Sequence, residues 1–150
     1  RVRGIDMKAL IQRVSHASVK VDQTTVASIG KGILIFLGIE KADQQTVSTR
    51  LLHKVLNYRV FPDDSGHMNL SLLDAAGELL VVSQFTLAAS TGKGLRPSFS
   101  SAMQPTEAVL LYEHFIDQAR AHCKVSSGLF GADMQVDLCN DGPVTFLLSA

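Results

Sequence analysis

The stretch KGILIFLGI, residues 31–39, carries an unbroken apolar run between Gly32 and Gly38. A strand with apolar side chains at every position, instead of at alternate positions, is buried on both of its faces. We therefore predict a central strand here, with the rest of a sheet arranged around it.

Several other stretches have the pattern of strands. Residues 8–21, KALIQRVSHASVKV, alternate most clearly at Ala17, Val19 and Val21, which indicates a half-buried strand. The other predicted strands are TVASIG (25–30), RVF (59–61), GELLVVSQFTLAA (77–89), and MQVDLC (134–139) and VTFLL (144–148) on either side of a turn.

Two segments show helical spacing. Residues 43–57 place Val47, Leu51 and Val55 four apart, which predicts an amphipathic helix with Asp43 as its N-cap. Residues 106–123 repeat apolar side chains at intervals of three and four and predict a second helix. Many strands and two helices, without strict alternation, indicate an α/β protein with a mixed sheet arrangement and the two helices packed outside.

The bulk composition sets the class of protein. The length of 150 residues fits one domain, placed at residues 7–150, and RVRGID (1–6) before Met7 is interpreted as a remnant of cloning. A hydrophobic content of 46% argues against disorder, and the even balance of charges argues against a general polyanion binder. No apolar run is long enough for a membrane span, and Cys123 and Cys139 form no CxxC pair, so we expect a reduced, cytoplasmic protein.

Most standard catalytic patterns are missing from the sequence. The five histidines form neither HxxxH nor HExxH, so we expect no metal and no other cofactor. Ser83 has no GxSxG elbow around it, and the glycines near residue 32 lack the GxGxxG order. A triad assembled in space stays open at this point, because its members need not be close in sequence.

Three local features remain unusual. SQFT, residues 83–86, puts polar side chains inside an apolar strand pattern, where they either bond to neighbouring backbone or line a polar pocket floor. Residues 140–145, NDGPVT, place a strong turn signal between two strands, and Gly142-Pro143 is either an ordinary trans turn or a cis peptide with a function. Between Glu78 and Glu107 the only charges are Lys93 and Arg96, so that loop is either plainly solvated or a cradle for phosphate.

These features together resemble one family. LLVVSQFTL and NDGPVT look like the two signature motifs of the D-aminoacyl-tRNA deacylases, and ALIQRVSHASVKV, MNLSLLD, KGLRPSF and GLFGADMQVDLC follow in the family's order. The likeness covers residues 7–150. It implies a barrel-like mixed sheet, a homodimer, and hydrolysis of the ester between a D-amino acid, or glycine mischarged on alanine tRNA, and the terminal adenosine of tRNA.

The resemblance also implies roles for individual residues. Gly142 and Pro143 would form a cis dipeptide that enters the partner subunit's pocket and excludes the side chain of an L-amino acid. Ser83, Gln84, Phe85 and Thr86 would form the catalytic pocket, where backbone donors and the ribose 2′-hydroxyl assist, since no base to activate Thr86 is evident. The substrate-binding positions implied are Arg13, which braces the Gly-Pro segment, with Lys93, Arg96, Phe99, Ala102, Phe130, Met134 and Asn140. Phe130 and Met134 could equally be core residues.

One loop departs from the family pattern. The family reads close to YADTRKGRRPSF where this chain reads AASTGKGLRPSF, residues 88–99. Ala88, Ser90, Gly92 and Leu95 therefore replace an aromatic residue, an acid and two arginines, while the loop's two cations remain. We expect weaker phosphate contact or a different tRNA preference, with activity retained.

Two other functions compete with this one. The chain could be a non-catalytic aminoacyl-tRNA binding module, which would bind tRNA tightly without turnover. It could also be a serine or threonine hydrolase of small esters, in which case Thr86→Ala would abolish all activity and tRNA would be dispensable.

Overall fold

The apolar run at the centre of the sequence forms the centre of the sheet. A computed structural model describes residues 7–150, and the interpretation of residues 1–6 lies outside that range. Strand β3, Gly32–Gly38, is buried at all positions except Phe36. It pairs with β1 (Lys8–Val21) in antiparallel and with β6 (Glu78–Ser83) in parallel orientation. The predicted central strand is thus confirmed.

The whole sheet is mixed and nearly closed into a barrel. The strands not yet given are β2 (Thr24–Ile29), β4 (Phe61–Pro62), β5 (Met68–Leu70), β7 (Val125–Ser127) and β8 (Gln135–Ser149). The strands of the sheet follow the order β2-β1-β3-β6-β7, and β8 pairs with the other edge of β1. A separate small ribbon joins β4 to β5.

Two helices cover one face of this sheet, as predicted. Helix α1 spans Gln45–Asn57 and helix α2 spans Pro105–Arg120. The prediction of Asp43 as a helix cap was wrong, because Gln44 holds the N-cap position of α1. The Asp43 carboxylate instead accepts hydrogen bonds from the backbone N–H groups of Met7 at 2.9 Å and Glu40 at 2.6 Å. In the described range, no helix is long and apolar enough to cross a membrane.

The barrel separates two apolar cores. Alternate side chains of β3 point to opposite faces, so Leu34 lies with Val14, Leu80 and Val82 in the inner cluster. Their neighbours in sequence, such as Ile33, pack in the larger cluster between the sheet and the helices. Both cores contain fully buried side chains, which gives the strand ends around them a rigid support.

The structure corrects three strand predictions. The stretch 77–89 is not one strand, since β6 ends at Ser83 and a short 3-10 helix, Phe85–Ala88, follows. The two last strands are one strand, β8, which pairs with β1 on both sides of NDGPVT. Strand β7 lies outside every stretch for which we predicted a strand.

Candidate active site

The carboxyl ends of β3 and β6 open into a cavity of about 450 Å³. Most of its wall is apolar, and the polar part includes Ser83, Gln84 and Asp133. The other lining residues are Leu37, Ile39, Val82, Phe85, Met103, Pro105, Ala108, Phe130, Gly131, Ala132, Met134 and Val136. An apolar cavity with a few converging polar groups is the usual form of a ligand site.

The SQFT segment turns away from the sheet at the rim of this cavity. The backbone N–H of Gln84 donates to the carbonyl oxygen of Leu37 at 2.9 Å, and the chain then enters the 3-10 helix. Gly38 makes this close approach possible, because a Cβ there would lie 2.9 Å from Cβ of Leu87 and 3.4 Å from the carbonyl oxygen of Gln84. The turn therefore depends on a glycine at the end of the neighbouring strand.

The polar side chains of this segment are not buried in the sheet. Ser83 and Gln84 are half-buried, and Thr86 is exposed. The Gln84 side-chain amide donates a hydrogen bond to the Thr86 hydroxyl. Among residues 7–150 no histidine or carboxylate hydrogen-bonds to Thr86, so a threonine nucleophile would lack an activating base.

Phe130 and Met134 line the same cavity, so the structure brings them together with Ser83, Gln84 and Phe85. The Phe130 ring packs against Tyr112 with 5.4 Å between ring centroids. The Tyr112 hydroxyl in turn donates to the carbonyl oxygen of Val81 at 3.0 Å. Burial raises the pKa of Tyr112 to about 12, so this anchor stays a neutral donor at physiological pH.

The NDGPVT segment forms a wide bulge in β8 opposite Arg13. Gln12 pairs with Thr145 and Val14 pairs with Asn140, so the four residues 141–144 lie opposite Arg13 alone. The Gly142-Pro143 peptide is cis, and Gly142 has φ +139. Such an inserted segment leaves the ladder and projects from the strand.

Arg13 and Asn140 hold this bulge in place. Nε of Arg13 donates to the carbonyl oxygen of Asp141 at 3.0 Å, and Nη1 donates to that of Val60 at 2.6 Å. Oδ1 of Asn140 accepts from the Val144 N–H at 3.0 Å. Arg13 thus contacts the bulge from the facing strand, and Asn140 closes the bulge from its own strand.

The two motifs do not meet within one chain. Gly142 and Pro143 are exposed, and neither they nor Arg13 or Asn140 line the cavity formed by the SQFT segment.

The remaining predicted residues lie beside the cavity. Phe99 contacts Phe85 with 5.1 Å between ring centroids, and the Ala102 N–H donates to the carbonyl oxygen of Phe99 at 3.0 Å. Lys93 and Arg96 are exposed on the loop that precedes Phe99. Neither cation lines the cavity.

Sequence reasoning missed part of the cavity wall. Met103, Pro105 and Ala108 line it just before and within the first turns of α2, and Leu37 and Ile39 line it at the end of β3 and directly after it. Their apolar character indicated burial only, so no signal in the sequence separated them from the core. In the described part of the chain, no cluster of three or more histidine, cysteine or acidic side chains could hold a metal ion.

The fold and the cavity define a small α/β protein with a nearly closed mixed sheet and a substrate-sized site at its strand ends. The family described as D-Tyr-tRNA(Tyr) deacylase matches residues 10–149. The chain therefore belongs to the D-aminoacyl-tRNA deacylase family of hydrolases.

Individual relatives agree with this assignment. D-aminoacyl-tRNA deacylase from Pseudoalteromonas translucida (strain TAC 125) is 60% identical over 144 residues, which cover 95% of this chain and 99% of the relative. The Pseudomonas aeruginosa protein of the same name is 57% identical over 145 residues, covering 96% and 100%.

Two solved structures share the fold. A c-Myc DNA unwinding element binding protein has a TM-score of 0.91 at 43% identity, covering 95% of this chain and 98% of that one. A probable eukaryotic D-amino acid tRNA deacylase has a TM-score of 0.84 at 16% identity, covering 96% and 99%. At that lower identity the likeness concerns the fold alone.

Proposed function

We propose that residues 7–150 form a single-domain cytoplasmic enzyme that hydrolyses the ester of D-aminoacyl-tRNA and releases free tRNA and the D-amino acid. Membership of the family supports this substrate class. The observation that carries the proposal is the cavity that Ser83, Gln84 and Phe85 of one signature motif line together with Phe130 and Met134. A cavity of about 450 Å³ is large enough for an aminoacyl group with part of its nucleoside.

Catalysis depends on backbone donors and on the substrate's own 2′-hydroxyl. The Thr86 hydroxyl is bonded to Gln84 and has no basic partner in the described chain. Phe85 and Thr86 begin a helical turn, so their N–H groups have no acceptor inside that turn. Donors of this kind contribute about 3–4 kcal/mol each when they stabilise an oxyanion in other enzymes.

Chiral selection comes from the Gly142-Pro143 bulge of a second copy. The bulge is exposed and rigidly held, and it lies outside the cavity of its own chain. Strand β8 also carries the exposed apolar side chains Phe146 and Leu147, which a homodimer would cover. A rigid backbone that blocks the side chain of an L-amino acid would leave room for the hydrogen atom of glycine. Alanine tRNA mischarged with glycine is therefore a second substrate.

The first experiment compares D-Tyr-tRNA with L-Tyr-tRNA in one hydrolysis assay. We expect release of D-tyrosine and an intact L ester. Equal rates on both would contradict chiral selection, and tight tRNA binding without turnover would favour a non-catalytic binding module.

A second experiment tests the role of Thr86. Thr86→Ala should keep most of the activity on D-Tyr-tRNA, with Thr91→Ala, on the exposed loop, as the matched control. Loss of all activity in Thr86→Ala alone, together with good turnover of simple D-amino-acid esters, would favour a threonine hydrolase instead.

A further inference from the structure

Two phenylalanine rings lie in contact on the surface of the chain. Phe85 is 63% exposed and Phe99 is 42% exposed, and their ring centroids are 5.1 Å apart at an interplanar angle of 51°. Large aromatic side chains dominate the energetics of cores and interfaces, so an exposed pair marks a surface that another molecule covers.

The position of the pair connects the cavity with the cationic loop. Phe85 is itself part of the cavity wall. Phe99 follows directly after Ser98, whose backbone pairs with Ser90 through hydrogen bonds of 2.7 and 2.9 Å and closes the loop between them. The pair therefore lies on the rim, with the cavity on one side and the loop on the other.

The charges around the pair favour an anionic ligand. The closed loop carries Lys93 and Arg96, both exposed. No aspartate or glutamate occurs between Glu78 and Glu107. Aromatic faces on a segment that carries cations and no carboxylate of its own are a combination that binds single-stranded nucleic acid.

We propose that Phe85 and Phe99 form a stacking platform for the unpaired nucleotide that precedes the terminal nucleotide of the substrate RNA. This inference rests on the proposed function, which puts the terminal nucleotide in the cavity. The strand must then leave over the rim, where the next base meets the two rings and its phosphate meets the loop. Stacking accepts every base, so the platform binds the strand without reading its sequence.

The test uses one aminoacyl group on three carriers of increasing length: the D-tyrosyl ester of adenosine, of the trinucleotide CCA, and of whole tRNA. Phe99→Ala should lower kcat/KM on the trinucleotide and tRNA esters about tenfold more than on the adenosine ester. The reason is that stacking of one base on an aromatic ring contributes about a factor of ten in affinity. Phe99→Tyr should stay within about twofold of the unchanged protein on all three, since the aromatic face is kept. Phe99→Leu should resemble Phe99→Ala, and Leu110→Ala, at an even more exposed apolar side chain on α2, serves as the control.

The outcomes separate the two hypotheses. Equal losses on all three carriers, or no loss on any, would overturn the platform while the chiral deacylase stands. A change in sedimentation coefficient with Phe99→Ala would also overturn it, because the rings would then pack against a second copy. Inactivity of the unchanged protein on all three esters would overturn the proposed function and the platform together.

Discussion

Arg13 is the residue whose removal should disturb the NDGPVT bulge most directly. Its side chain is only 12% exposed and connects two carbonyl oxygens from separate parts of the chain, those of Val60 and Asp141. Replacing it with alanine removes both hydrogen bonds and the ion pair of 3.8 Å with the Asp141 carboxylate.

The expected cost follows from what each partner loses. Val60 is buried, so its carbonyl oxygen is left without a donor, and a charge-assisted hydrogen bond of this kind is worth about 1.5–3 kcal/mol. The Asp141 side chain is 61% exposed, so water replaces most of the second bond, and the ion pair adds at most about 1 kcal/mol. Arg13→Ala should therefore lower the free energy of unfolding by about 3 kcal/mol.

Urea denaturation measures this difference, with Arg13→Lys and Arg59→Ala beside it. Lysine has one ammonium group where arginine has a planar fork, so Arg13→Lys should lose about half as much. Arg59 makes one exposed hydrogen bond, to Asn69, and its removal should cost under about 0.5 kcal/mol. A loss below about 1 kcal/mol for Arg13→Ala would refute the reasoning. Under the proposed function, the ratio of L-Tyr-tRNA to D-Tyr-tRNA hydrolysis should also rise in this variant, because its bulge is no longer held.

Three further predictions concern single groups. The pKa of Tyr112 is raised to about 12 from 10.0, so its contribution to stability is present below pH 10.0 and is lost between that pH and about 12. A Tyr58→Phe protein, which keeps only this tyrosine, should ionise with a midpoint near 12 in absorbance at 295 nm, and a midpoint near 10.0 would contradict burial. Gly32→Ala should prevent normal folding, because its Cβ would lie 1.8 Å from a backbone oxygen of β6, and a native-like denaturation curve would contradict that close approach. Gly142→Ala puts a Cβ 2.6 Å from Cγ2 of Val144 at a backbone φ of +139. We therefore expect the free energy of unfolding in urea to fall by about 1–3 kcal/mol, and an unchanged value would show that the bulge rearranges to accept the methyl group.

Periodicity predicted the elements that depend on local pattern. Strands β1 and β3 and helices α1 and α2 were found close to their expected bounds, because each one buries a face that its own sequence defines.

The NDGPVT segment shows where local pattern is insufficient. Asn140 to Pro143 have strong turn preferences, yet the chain continues in the same direction because β1 is long enough to pair on both sides of the insertion. That pairing is a tertiary property, and it overrides the local signal.

The prediction of one strand through the SQFT segment was wrong for a related reason. Phe85, Thr86 and Leu87 are compatible with a strand, but β6 stops at Ser83 because Gln84 bonds to Leu37 and Gly38 lets the chain turn over it. The glycine that decides this ending lies 45 positions before Ser83, so no window around the motif contains it. The pairing of the two motifs was likewise implied by resemblance alone, since they lie apart within one chain.

Strand β1 bonds to β8 along one edge and to β2 and β3 along the other. Its alternate side chains serve two compartments, with Val14 inside the barrel and the adjacent Arg13 reaching outward to Val60. Deleting one residue of β1 before Arg13 would exchange these faces for every later position and drive the Arg13 guanidinium into the inner core. Relatives should therefore differ in composition along residues 8–21 but carry no insertion or deletion there. This segment is then a reference for aligning the sequences of distant members of the family.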